Sequence, residues 1–378
     1  MTAVPVGLFG TGRSGTTLLT RLLDGMPEGY VHPAEITFLS ALDELASRRR
    51  VSRSTQANVT VRPLGDLSRP VPSGRLLGFY GHQMREIESG YLANVADPPS
   101  PGPSPEAAIA ARDAWQAAAF VPGFLNAMAA WLTPAVRPRF LVFKTIETPY
   151  VADYHALFPA MRFVHLMRHP VDFWASAKRT LLRKNLPAWY FASDTLRAMI
   201  EYRWVAHAEA VLRRRDDPRH RLLRFEDLVA GPEGHVADLC GWLGTPPPPQ
   251  PRRQTTLGGR DFATMPDNPS EAGVETPREV RDTTRDPLSR SAVVTGRERD
   301  FILLRTRPYL AALGYDEEIP VADEESVRRA WRRPDAFETA GMRGPVGLLR
   351  GAHSMLLRRR YVRDALAAAA RTNRETAP

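Results

Sequence analysis

The stretch GLFGTGRSGTTLL, Gly7 to Leu19, holds the residues with the plainest chemistry in the chain. Gly10-Thr11-Gly12-Arg13-Ser14-Gly15-Thr16-Thr17 fits the G-x-x-x-x-G frame of a phosphate-binding loop, but Thr16 stands where an ATPase or kinase places its lysine. The cation comes three positions earlier, as Arg13. An apolar run ends at Phe9 and a helical pattern begins at about Thr16, so backbone N–H groups freed by Gly10, Gly12 and Gly15 meet at a helix N-terminus suited to an anion. Ser14, Thr16 and Thr17 add hydroxyl donors. Two more cations, Lys144 and Arg168, close later apolar runs, at the edge of an α/β sheet where ligands bind. No aspartate stands at those two strand ends to hold the Mg²⁺ that a nucleoside triphosphate requires. The loop and its three cations point to a metal-free site for a donor with several phosphate-like groups.

The elements that must position these residues are four short buried strands: Val4–Phe9, Arg139–Lys144, Arg162–Arg168 and Arg221–Glu226. Helical patterns follow three of them. TTLLTRLLDGM sets Leu18, Leu19, Leu22 and Leu23 on one face; PVDFWASAKRTLLR opens on Pro170; GPEGHVADLCGWLG carries Val236, Leu239, Cys240 and Leu243 and stops at Gly244. Strands alternating with helices predict an α/β fold, a P-loop-like doubly wound parallel sheet flanked by helices. Residues 51–105 are rich in Ser, Pro and Gly, with only weak strand hints near GRLLGFYG. A proline linker spans 245–260, and an amphipathic helix follows it and ends at Gly314. A basic helical tail completes the C-terminal additions.

Composition sets broader bounds. With 378 residues, 43% hydrophobic and 25% charged, the chain is that of an ordinary globular protein able to bury a large core. A net charge of +9, carried mostly by arginine, suits an anionic ligand but does not by itself select one. The one cysteine, Cys240, excludes an internal disulfide and reads as a small core residue. The N-terminus lacks the marks of a signal peptide, and no run approaches the roughly 18 apolar residues of a membrane span, so a cytoplasmic protein is expected.

Three segments resemble the sulfotransferases that use 3′-phosphoadenosine-5′-phosphosulfate (PAPS). GTGRSGTTLLTRLLDGMP is similar to their 5′-phosphosulfate loop, and FVHLMRHPVDFWASAKR to their 3′-phosphate element, which implies that Arg168 and Ser176 hold that phosphate. LLRFEDLVAGPEGHVADLCGWLG resembles a later strand–helix segment, with Phe225 where many members have Tyr, so no binding role passes to it. An arginine in the loop followed by Glu35 in HPAEITFLSAL is most like the tyrosylprotein and carbohydrate-type branch.

The resemblance implies a sulfuryl transfer to a hydroxyl acceptor, a small molecule or glycan, with Glu35 as base and Lys144 near the transferred group. The donor leaves as adenosine 3′,5′-bisphosphate, and no metal or nucleic acid takes part. Gly12, Arg13, Ser14, Gly15, Thr16 and Thr17 would bind the donor. It also implies a catalytic domain over residues 1–320, in which 51–138 shapes the acceptor site, and a helical basic extension over 321–378.

Other assignments stay open on the residues alone. His32 and His82 are alternative bases. His165 reads as a hydrogen-bonded core residue, and Glu226 and Asp227 as a structural pair at a helix start. Trp174, Trp189 and Trp204 read as core. The tail with Arg358, Arg359 and Arg360 suits packing or a dimer contact better than a membrane surface. Homodimerisation is open.

Overall fold

The computed structural model describes residues 3–47, 64–90, 102–183, 199–249 and 293–315, with a few isolated positions besides. Five strands form one sheet: β1 (Val4–Gly10), β2 (Gly29–Glu35), β3 (Phe140–Thr145), β4 (Arg162–Met167) and β5 (His220–Arg224). Their order is β2-β3-β1-β4-β5, and every neighbouring pair is parallel. β1 and β3 are buried along nearly their whole length, which is why they read as unbroken apolar runs rather than alternating ones.

Among the described residues the α-helices, in chain order, are α1 (Thr16–Leu23), α2 (Leu39–Ala46), α3 (Ser73–Gly90), α4 (Pro105–Ala110), α5 (Ala117–Leu132), α6 (Val151–Leu157), α7 (Pro170–Arg183), α8 (Ala206–Leu212), α9 (Phe225–Ala230), α10 (Pro232–Leu243) and α11 (Gly296–Leu310). The described residues group into two compact units; the chain leaves the first after Met167 and returns to it at Arg214, and α11 belongs to the second.

In the first unit both faces of the sheet are covered. Val6, Leu8, Val142, Val164 and Leu166 form one core with Leu19, Leu22 and Leu23 of α1 and Val236, Leu239, Cys240 and Leu243 of α10. Each fully buried aliphatic side chain there contributes about 1.5–3 kcal/mol relative to exposure. The opposite face is aromatic. Phe9 meets Tyr154 of α6 at 5.2 Å, and Phe38, just before α2, meets Phe143 at 5.4 Å and Phe124 of α5 at 5.9 Å. The second unit contains α7, a π-helical turn at Ile200–Val205, α8 and α11. Its buried Lys178–Glu298 ion pair, 2.8 Å, joins α7 to the N-terminus of α11, where Thr295 and Glu298 form a capping box. Trp174 and Trp204 are wholly buried there.

The structure corrects three expectations from sequence. Gly29–Glu35 is a fifth strand, hidden because Pro33 interrupts its pattern; the sheet tolerates that proline because β2 lies at the edge. GRLLGFYG begins the long helix α3, not a strand. Its glycines weaken the local preference, but Leu76, Tyr80, Met84 and Ile87 are buried at helical spacing, and that burial decides the outcome. The fourth expected strand ends at Arg224, because Phe225 already opens α9. Trp189, the basic segment Arg358–Arg360, residues 250–255 of the linker and most of the 321–378 extension lie outside the described residues. No helix among the described residues is long and apolar enough to cross a membrane.

Candidate active site

The loop between β1 and α1 is wound tightly. Gly12, Arg13 and Gly15 have φ of 69°, 60° and 100°, so three of four consecutive residues are left-handed. For Arg13, which carries a side chain, that conformation costs on the order of 1–2 kcal/mol, a strain of the kind that collects at functional loops. Gly15 is required twice over: its φ excludes a side chain, and a Cβ there would lie 2.4 Å from the Phe225 ring. Phe225 therefore walls the loop. It lies against the loop, although the residues alone assigned it no role there.

The loop's polar groups suit an anion. The Ser14 hydroxyl is wholly buried and has no hydrogen-bond partner among the described residues. α1 begins without any side-chain cap and without an acidic residue in its first turn. Its first N–H groups and positive dipole end suit a phosphate-like ligand.

Lys144 reaches this loop from β3, and Glu35 is its ladder partner on the neighbouring strand. Lys144 is buried near the end of β3, and its Nζ donates to Thr17 Oγ1 at 3.2 Å. The β2–β3 ladder runs regularly to Val31–Val142, shifts register, and resumes at Glu35–Lys144. Two extra residues on β2 thus bring Glu35 beside Lys144; the segment contains Pro33, which cannot donate to the ladder. The Ile36 N–H donates to the Lys144 carbonyl at 3.1 Å, and Gln83 of α3 donates to the Glu35 carbonyl at 2.9 Å. Glu35, expected simply after the first helix, is the last residue of a strand.

The alternative bases sit differently. His32 is fully buried with Nδ1 2.9 Å from the Tyr30 hydroxyl and Nε2 without a partner among the described residues. Burial, with the nearby charge of Lys144, lowers its pKa to about 3, so the imidazole is neutral at neutral pH. His82 lies exposed on α3.

Arg168 and Ser176 belong to the second unit. Arg168 follows β4 directly and its carbonyl accepts from Trp204 Nε1 at 2.8 Å; Ser176 lies within α7, partly buried. Both are therefore held by ordered helical structure within that unit.

One buried carboxylate close to Lys144 in the chain had no signal in the sequence. Glu147, three residues past Lys144, accepts from the Phe38 and Leu39 N–H groups at 2.9 and 3.1 Å through Oε2. Its Oε1 accepts from the Ser40 N–H at 2.8 Å and from the Ser40 hydroxyl, and Tyr154 donates to Oε2. It caps α2 from 109 residues away, a pairing that only the tertiary fold creates.

A second polar cluster stands at the other end of the sheet, where β5 begins. His155, Asp217 and His220 offer ligand atoms within 4.8 Å of one another. Arg219 already supplies a cation there, with Nη2 2.9 Å from Asp217 Oδ2 and in contact with His155. Its guanidinium and the other hydrogen bonds hold the Asp217 carboxyl far below the usual range. His165, as expected, is a core residue, bonded to His220 at 2.9 Å. Asp227, in the first turn of α9, pairs at 2.6 Å with Arg224, which ends β5.

A family model described as the sulfotransferase family matches residues 5–249, nearly two thirds of the chain. The chain belongs to the sulfotransferase family. No curated protein matches it. Among solved structures, the sulfotransferase domain of the curacin biosynthetic pathway is similar at 16% identity over 85% of this chain and 99% of that one, with a TM-score of 0.42. The sulfotransferase domain of the Synechococcus PCC 7002 olefin synthase is 18% identical over 73% and 85% of the two chains, TM-score 0.38. A sulfotransferase from Alicyclobacillus acidocaldarius is 18% identical over 68% and 87%, TM-score 0.37.

Proposed function

We propose that this sulfotransferase takes PAPS as its donor and passes the sulfuryl group in line to a hydroxyl of a small molecule or glycan, with Glu35 as base. The observation that carries the reading is the buried Lys144, tied to Thr17 of the loop at 3.2 Å and paired across the ladder with Glu35. The loop N–H groups, the unpartnered Ser14 hydroxyl and the hydroxyls of Thr16 and Thr17 receive the 5′-phosphosulfate at the start of α1. The acceptor oxygen forms its bond to sulfur as the bond from sulfur to the 5′-phosphate oxygen breaks. Glu35 takes the hydroxyl proton, and Arg13 and Lys144 balance the charge that gathers on the departing phosphate and the sulfuryl oxygens. Burial, with the charge of Lys144, keeps the His32 pKa at about 3, so its imidazole is a weak base.

Arg168 and Ser176 bind the 3′-phosphate in this reading. The catalytic region is 1–320, and 51–138 shapes the acceptor site; the contact of Gln83 with the Glu35 backbone is consistent with that role. The test is calorimetric titration with adenosine 3′,5′-bisphosphate in EDTA, beside ADP and ATP with Mg²⁺, followed by a screen of phenols, sugars and aliphatic alcohols with radiolabelled PAPS. Metal-free binding that is lost without the 3′-phosphate, and label moved to an acceptor, are expected. A preference for Mg²⁺-ATP would overturn the reading in favour of a kinase.

A further inference from the structure

We propose that Glu147 is a positioning residue, which holds the Glu35 carboxylate in its working place against Lys144 by clamping the start of α2 to the end of β3. The assignment rests on Glu35 and Lys144 acting as proposed above. Glu35 ends β2, and only Ile36 and Thr37 separate it from the three backbone N–H groups that Glu147 engages at Phe38, Leu39 and Ser40. On the other side, Glu147 is three residues beyond Lys144, with its own N–H donating to Thr145 Oγ1 at 3.2 Å. The short stretch from Glu35 to Ser40 is therefore fixed to the strand bearing Lys144 at two levels: Ile36 N–H on the Lys144 carbonyl, and Phe38 to Ser40 on the Glu147 carboxylate.

Nothing local replaces this anchor. α2 has no acidic residue in its first turn and no side-chain cap of its own, so its first N–H groups depend on Glu147. Three backbone donors and two hydroxyls use the acceptor capacity of a carboxylate, which leaves Glu147 suited to holding structure rather than to taking a substrate proton. Tyr154 stays protonated as a donor, because burial and then the Glu147 charge push its pKa far up.

The experiment is a double-substitution cycle in the full chain, read by kcat and KM with the fastest acceptor of the screen, or by release of adenosine 3′,5′-bisphosphate from PAPS to water where none is faster. Nucleotide affinity and melting temperature are measured alongside. Glu147→Gln, which puts an amide donor against the α2 N–H groups, is expected to lower kcat about 100-fold, the scale of a misplaced reacting group. Its affinity for adenosine 3′,5′-bisphosphate is expected to stay within about twofold, because the loop and α1 are not touched, and in the Glu35→Ala background its further effect on kcat should also be within about twofold. Should Glu147→Gln fail to fold, Tyr154→Phe and Ser40→Ala each remove one donor and carry the same cycle with smaller losses.

Equal losses in the wild-type and Glu35→Ala backgrounds would overturn the assignment, as would an unchanged kcat in Glu147→Gln when Glu35→Ala is impaired. Failure of the underlying reading looks different: no metal-free nucleotide binding and no PAPS turnover by the wild type, or Glu35→Ala at the wild-type rate.

Discussion

Gly15→Ala is the substitution that most sharply tests how the loop is built. Two costs add at this position. The φ of 100° lies where residues with a Cβ are strained, about 1–2 kcal/mol. The new methyl would also lie 2.4 Å from Cδ2 of Phe225, and overpacking of that kind costs about 1–3 kcal/mol. The expected loss is therefore about 2–5 kcal/mol, a large share of the 5–15 kcal/mol that ordinarily stabilises a domain. Phe225→Leu separates the terms, since a smaller side chain relieves the overlap but leaves the backbone strain. In that background the cost of Gly15→Ala should shrink by about 1–3 kcal/mol. Urea denaturation of the four proteins, compared at constant slope, measures both quantities. A Gly15→Ala cost below about 1 kcal/mol, or the same cost in both backgrounds, would refute the argument that Phe225 walls the loop.

Arg13→Ala and Lys144→Ala should each lower kcat by an amount equivalent to about 3–4 kcal/mol of transition-state stabilisation, as when an oxyanion donor is lost; steady-state rates near wild type in either would contradict their role. Arg168→Ala should weaken adenosine 3′,5′-bisphosphate binding while leaving nucleotides without the 3′-phosphate unchanged, and an equal loss for both in calorimetry would count against it. Acid should destabilise the fold through His32 and His207, whose pKa values burial lowers from 6.5 to about 3. Both are neutral when folded but take a proton when unfolded, so stability is full above about pH 6.5 and falls toward pH 3, by about 2 kcal/mol per histidine at pH 5. Denaturation at pH 7 and pH 5 should show a smaller drop in His32→Gln than in wild type; equal drops would argue that His32 is already charged in the folded state.

Features whose causes are local were legible from the order of residues. β1, β3 and β4 are buried on both faces, so their apolar runs are continuous and visible, and each is followed by the turn residues that end it. The loop from Gly10 to Thr17 is legible because a tight turn into a helix demands glycines and hydroxyls at fixed spacing. Gly244 and Gly314 stop their helical stretches in the left-handed conformation that glycine favours, and both stops were readable.

Other features depend on contacts between distant parts of the chain. β2 is an edge strand shortened in its pattern by Pro33, so only pairing with β3 makes it a strand, and only the register shift sets Glu35 against Lys144. α3 overcomes three internal glycines because Leu76, Tyr80, Met84 and Ile87 find a core to enter. Phe225 becomes the wall of a loop 210 residues earlier in the chain, and Glu147 the cap of α2 across 109 residues. Such contacts leave no periodic trace in the chain, because a hydrogen bond or a van der Waals contact depends on distance in space and not on spacing in sequence.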